Sequence, residues 1–211
     1  MGLNFSQEWI SERLADFFQK PVYDITAEDM ASIKYLCVGE TFGNEFMLYV
    51  SSEIPPDPFV DCEGGDEWLF CLRGDDISKL ADKFKDKENE QLYMFGLDHE
   101  DEEWEELISS EESEKKWEDF SGTVVGSTYY EKLDDDEFDE WYDGIREGAW
   151  RDVQMFTGVE VLRVQGLDFP DLGFLDVMPS LRVLELVETR FASMRGIEKL
   201  TRLKQLACWL N

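Results

Sequence analysis

The sequence predicts an α/β fold: a short solenoid of stacked strand-and-return repeats, with a helical cap at its amino end and an acidic α+β subdomain inserted between cap and repeats. Three observations lead there. The pattern Val159-x-x-Leu162-x-Val164-x-x-Leu167-x-Phe169 recurs from Leu181 and again from Leu203, each time 22 residues further on. The later half of each unit keeps the same step, since Phe169, Leu172, Leu175 and Met178 are matched by Phe191, Met194, Ile197 and Leu200. Near the amino end Ile33-x-x-Leu36-x-Val38 repeats the strand signature, and a carboxylate-dense stretch separates it from the others.

Spacing gives each half of the unit its structure. Apolar residues two apart (Leu162 and Val164, Leu184 and Leu186, Leu206 and Cys208) point to one face of a short strand. Those three apart lie along one side of a 3₁₀ or helical return. A single unit cannot bury that surface alone, so neighbours must stack.

At the amino end, Trp9, Ile10, Leu14, Phe17 and Phe18 sit at helical spacing between Ser6, a candidate N-cap, and Pro21. Thr26 followed by Asp29 has the spacing of a capping box and starts a second short helix. Met30 stands three residues before Ile33, as Phe156, Met178 and Leu200 stand before Val159, Leu181 and Leu203. The 22-residue unit resembles a leucine-rich repeat, and the helix, Ile25-Thr26-x-Glu28-Asp29-Met30 and the first strand resemble the amino-terminal cap of bacterial leucine-rich repeat proteins of the internalin-like type. The resemblance covers residues 6–42 and 147–211, about half the chain. It implies a short leucine-rich repeat solenoid that acts as a binding scaffold rather than a catalyst. One departure is plain: Ile33 and Val159 are 126 residues apart, not a multiple of 22, whereas repeats of that family normally run uninterrupted.

The chain therefore divides into a cap with the first repeat strand (1–44), an acidic α+β insertion (45–146) and the repeats (147–211). Within the insertion, Phe46–Val50, Trp68–Leu72 and Leu92–Phe95 read as strands, and Asp76 is placed to cap a helix carrying Ile77, Leu80, Ala81 and Phe84. These form a small separate subdomain or, on the other reading, irregular extensions of the solenoid's own sheet. Asp98 to Glu118, with Trp104, Leu107, Ile108 and Trp117, and Asp134 to Glu140, with Phe138, Trp141 and Tyr142 alongside, are acidic runs; the spacing of Trp104, Leu107 and Ile108 suggests a helix with one buried stripe.

Composition narrows function further. The 211 residues carry 49 acidic and 20 basic side chains, a net charge of −29. Phosphate backbones and anionic membrane surfaces are bound by clustered Lys and Arg, so neither is an expected partner. Four wide-spaced cysteines (Cys37, Cys62, Cys71, Cys208) and a single His give neither a disulfide framework nor a zinc site, and a cytoplasmic, reducing location is expected. Met1-Gly2 with Ser6 fits the myristoylation pattern, but the acidity opposes anchoring.

No catalytic constellation stands out. Asp98-His99-Glu100-Asp101 offers one imidazole where transition-metal or nucleophilic chemistry wants more nitrogen or sulfur, and reads as a solvated loop. Asp134 to Glu140 has the oxygens for calcium but not the glycine or terminal Glu of an EF-hand, and reads as a solvated charge run. No catalytic residue, metal ligand or cofactor is assigned, and an enzyme is not expected. Contact with a partner is expected instead from the residues between the apolar strand positions: Arg163 and Gln165, Glu185 and Val187, Ala207 and Trp209, facing the concave side of the solenoid. The third strand ends at the carboxyl end of the sequence with no return segment, so its edge is expected to be open to a second copy or to a partner. The function expected is a protein-interaction module. The alternative is an acidic inhibitor or immunity-type protein that neutralises a basic enzyme such as a nuclease.

Overall fold

The computed structural model describes residues 3–40, 45–54, 70–73, 125–129, 135–191 and 193–209. In chain order the helices are α1 (Glu8–Phe18), α2 (Ala27–Ser32) and α3 (Asp135–Val153). The strands are β1 (Tyr35–Glu40), β2 (Phe46–Ser51), β3 (Phe70–Arg73), β4 (Val125–Tyr129), β5 (Val161–Gln165), β6 (Asp168–Phe169), β7 (Val183–Val187), β8 (Arg190–Phe191) and β9 (Gln205–Trp209).

The periodic apolar positions set the strand register. β1, β5, β7 and β9 pair in parallel, so that Leu36, Leu162, Leu184 and Leu206 lie side by side, and Val38, Val164, Leu186 and Cys208 form the next row. The offset is 126 residues between β1 and β5 and 22 at each later step. The returns keep the 22-residue step as well. β6 pairs in parallel with β8, and the Leu172 amide donates to the Arg195 carbonyl at 2.9 Å.

The sheet as a whole corrects the solenoid expected from the sequence. It is one mixed seven-stranded sheet in the order β3-β9-β7-β5-β1-β2-β4, an α/β domain rather than an open leucine-rich repeat solenoid carrying a separate acidic α+β subdomain. A solenoid adds strands of one direction and contacts only its own neighbours. Here four parallel strands are bounded on both sides by antiparallel ones. β2 runs against β1, β4 against β2 and β3 against β9, all three drawn from the central segment. The stretch expected to fold apart therefore supplies three strands of the same sheet. The Leu92–Phe95 run, the Asp76 helix and the Trp104 to Trp117 stripe lie outside the described residues.

Antiparallel β3 also removes the open edge expected at the third repeat strand. Phe70 to Arg73 pair with Cys208 to Gln205, filling the backbone donors and acceptors along that side of β9. Along Gln205 to Cys208 that side of β9 is therefore not an open edge.

On one face of the sheet a single apolar core joins the cap to the repeats. It holds Trp9, Ile10 and Leu14 of α1, Met30 and Ile33 around α2, Ile145, Ala149 and Val153 of α3, and the inward residues of β1, β2, β5, β7 and β9. Phe46 sits among Trp9, Trp141 and Tyr142, with ring centroids 5.5 to 6.1 Å apart. Trp150, Val153 and Phe156, which precede Leu172, Leu175 and Met178 by 22 residues and on that spacing would be a repeat return, belong to the end of α3 and the turn after it.

The caps follow local chemistry in one case and distant chemistry in the other. The Thr26 hydroxyl accepts from the Asp29 amide at 3.2 Å, and the Asp29 carboxylate accepts from the Thr26 amide at 2.9 Å, a complete capping box. Helix α1 is different: its N-cap is Gln7 rather than Ser6, with no side-chain cap of its own. The Asp152 carboxylate instead accepts from the amides of Ser6 and Gln7 at 2.6 and 2.7 Å across 146 and 145 residues.

Asp152 is fully buried, and burial holds its carboxyl above the ordinary range, against the pull of the Ser6 and Gln7 amides and the Ser6 hydroxyl. Asp152→Ala, which strands two amides, is expected to lower stability by about 1–3 kcal/mol in urea unfolding. The sign of its pH dependence follows from the raised pKa. The titration contributes stability below the unfolded value of 3.8 that is lost as pH rises through the folded value, so the gap between wild type and variant narrows as pH rises.

Asp29 has the opposite sign. The Lys20 ammonium at 2.7 Å and then the Thr26 amide and hydroxyl hold its pKa at about 2. Its contribution is complete above 3.8 and fades as pH falls toward 2. Acid unfolding of Asp29→Asn followed by circular dichroism should show a gap to wild type that is constant above that window and closes within it.

Candidate functional site

The strand residues expected to meet a partner are built into a second face of the sheet, opposite the core. Cys37, Arg163, Glu185 and Ala207 form one row across β1, β5, β7 and β9, and Gly39, Gln165, Val187 and Trp209 form the next. The register thus brings the six expected residues together. It does not leave them open. Gln165 is 6% exposed, Glu185 3%, Val187 1% and Ala207 0%, while Arg163 is half-buried and the side chain of Trp209 lies outside the described residues. Arg163 and Glu185 face each other across neighbouring strands at 3.7 Å, a charge pair within a largely apolar layer.

A second polar group gathers where α3 crosses the carboxyl ends of β1 and β5. Arg146 donates from Nε to the Gly166 carbonyl at 2.7 Å and from Nη2 to Asp168 at 3.3 Å, and Glu40 lies 4.0 Å from Nε. Its guanidinium stands 5.5 Å from the Tyr142 ring centroid. Burial and a hydrogen bond to Glu40 push the Tyr142 hydroxyl above its usual range. This group joins a helix from the acidic segment to the repeat sheet; its cation is already matched by two carboxylates and a carbonyl.

At the amino ends of the same strands lies a charged ladder that spacing alone did not single out. The amides of Glu160, Arg182 and Lys204 donate to the carbonyls of Lys34, Glu160 and Arg182 at 2.8, 2.8 and 2.7 Å, which stacks the four residues on successive rungs. Glu160 sits 3.8 Å from Lys34 and 3.6 Å from Arg182. The signal was present in the sequence, because 160, 182 and 204 keep the 22-residue step.

The remaining candidates carry no built site among the described residues. Asp98 to Asp101, with His99, lie outside them, as does Asp134, and residues 135–140 form the first turns of α3. No group of three or more His, Cys, Asp or Glu among the described residues is arranged to hold a metal ion. Cys37 and Cys208 are buried on opposite faces of the sheet. Among the described residues no helix is long and apolar enough to cross a membrane. No protein-family model, curated protein or solved structure matches this chain.

Proposed function

We propose that the chain is a non-catalytic, cytoplasmic protein-interaction module that engages a basic protein through its carboxylate-rich central segment. The supporting observation is the segregation of charge along the chain. Residues 45–146 contain 33 acidic and 9 basic side chains, whereas 147–211 contain 9 and 8. Such a concentration of one sign steers an oppositely charged protein and accelerates its encounter. Burial of Gln165, Glu185, Val187 and Ala207 favours this segment over the repeat face as the contact, since a partner cannot reach those side chains without displacing what covers them.

Surface-based binding measured against a panel of basic proteins, nucleases among them, tests the reading. Between about 0.02 and 0.2 M salt, association should slow by about tenfold or more. Neutralising Asp134, Asp135, Asp136 and Glu137 to their amides should slow it at low salt, while Val187→Ala should not. Binding that resists salt and is lost only in the Val187 variant would return the contact to the repeat face. Loss of nuclease activity on binding would select the inhibitor form of the same proposal.

A further inference from the structure

The acidic surplus makes unpaired cations informative. Acidic residues outnumber basic ones 49 to 20, so most cations have a carboxylate within reach. Seven of the described Lys and Arg side chains do meet one. Four with described side chains form no ion pair among the described residues: Arg151, which lies over the Trp150 ring, and Arg195, Arg202 and Lys204, which fall within ten positions where the second repeat passes into the third.

Two of these cations continue the charged ladder. Lys204 stands on the rung after Arg182, joined by the 2.7 Å backbone hydrogen bond, and Arg202 is two residues before it; both are exposed. Arg182, 43% exposed, shares its one carboxylate, Glu160, with Lys34. Among the described residues the strip thus holds four cations to one anion. Val177, which ends the 3₁₀ return preceding Arg182, is one of three large apolar side chains left exposed among the described residues.

We infer that the strip formed by Arg182, Arg202 and Lys204 is a docking surface for an acidic segment of a partner protein, with Val177 receiving one of its apolar side chains. Charge complementarity is local: at physiological salt the Debye length is about 8 Å, so a short peptide on the strip is screened from carboxylates farther away than that. A nucleic acid is the poorer occupant, because its extended charge meets the full −29 of the molecule and makes no use of Val177. The module would then bridge a basic protein on its central segment and an acidic one at the amino ends of its last two repeat strands, and the two contacts are separable.

Fluorescence anisotropy with a labelled peptide of about twelve residues, Asp and Glu around a single Leu, tests the strip on the full-length protein. At about 0.1 M salt, Arg202→Glu with Lys204→Glu should weaken binding by about tenfold or more, and Val177→Ser by about threefold. Arg151→Glu should leave it within about twofold, and thermal melts should show all variants folded. Equal affinity in the double variant, or no binding by wild type, overturns the proposal. Tighter binding of an oligothymidylate than of the peptide overturns the assignment of a protein partner. Self-association in sedimentation that disappears in the double variant replaces the foreign partner with a second copy of the chain.

Discussion

Leu184→Ala is expected to lower the unfolding free energy by about 2–5 kcal/mol, the range for deleting most of a fully buried leucine from a core that closes only partly around the cavity. The position is chosen by its neighbours. Leu184 is 0% exposed on β7, in the middle of the parallel set, with Leu162 on one side and Leu206 on the other. Its cavity would open in the row that joins the repeats to the cap strand β1 through Leu36. For a chain of this length a loss of that size corresponds to a fall in melting temperature of about 5–20 °C. Val183→Ala, one residue away but on the opposite face, removes less volume from a site outside the main core and should cost well under half as much. Equal losses for the two would mean that the faces are equivalent and that the Leu36–Leu162–Leu184–Leu206 row is not the organising core.

That row was legible before any coordinates, because two independent spacings, one for the strand and one for the return, repeat together at 22 residues. The capping box of α2 was legible for the same kind of reason: Thr26 and Asp29 are three residues apart, and the interaction is local. Long-range pairings left no comparable trace. β3 joins β9 through backbone groups that almost any sequence supplies, so nothing in Phe70 to Arg73 names Gln205 to Cys208 as its partner. β4 is short and contains Gly126, Ser127 and Thr128, too polar a run to stand out as a strand. Asp152 sits at the end of a helix like many acidic residues, and its role at the start of α1 depends on two amides nearly 150 positions away. The second face of the sheet is a different case, since its signal was present. Val183-Leu184-Glu185-Leu186-Val187 is an almost unbroken apolar run, which marks a parallel strand buried on both sides more than one with an open face. That run, more than the alternation within it, predicts Val187 on the inside.

Gly39→Ala should be at least as damaging as the leucine truncation, by a mechanism that involves no cavity. Gly39, next to last in β1, has φ at +144°, a region in which an L side chain costs about 1–3 kcal/mol on its own. It is also paired with Gln165 on β5, and a methyl group built at Gly39 would lie 1.8 Å from the Gln165 carbonyl oxygen and 2.6 Å from its carbon. The obstacle is backbone, not the movable end of a side chain, so β1 must withdraw from β5 or rotate. Either response weakens the parallel ladder where the cap strand meets the first of the 22-residue repeats. A total loss of about 3 kcal/mol or more is expected, with the amides of β1 and β5 losing hydrogen-exchange protection before those of β7 and β9. Gly144→Ala provides the opposing control. It lies exposed within α3 with no atom within 4 Å of the added methyl, so the exchange should stabilise the chain by about 0.5–1 kcal/mol through helix propensity alone. If Gly39→Ala melted with wild type, or if protection fell first in β7 and β9, the close approach of Gly39 to Gln165 would not be what locks the cap strand to the repeats.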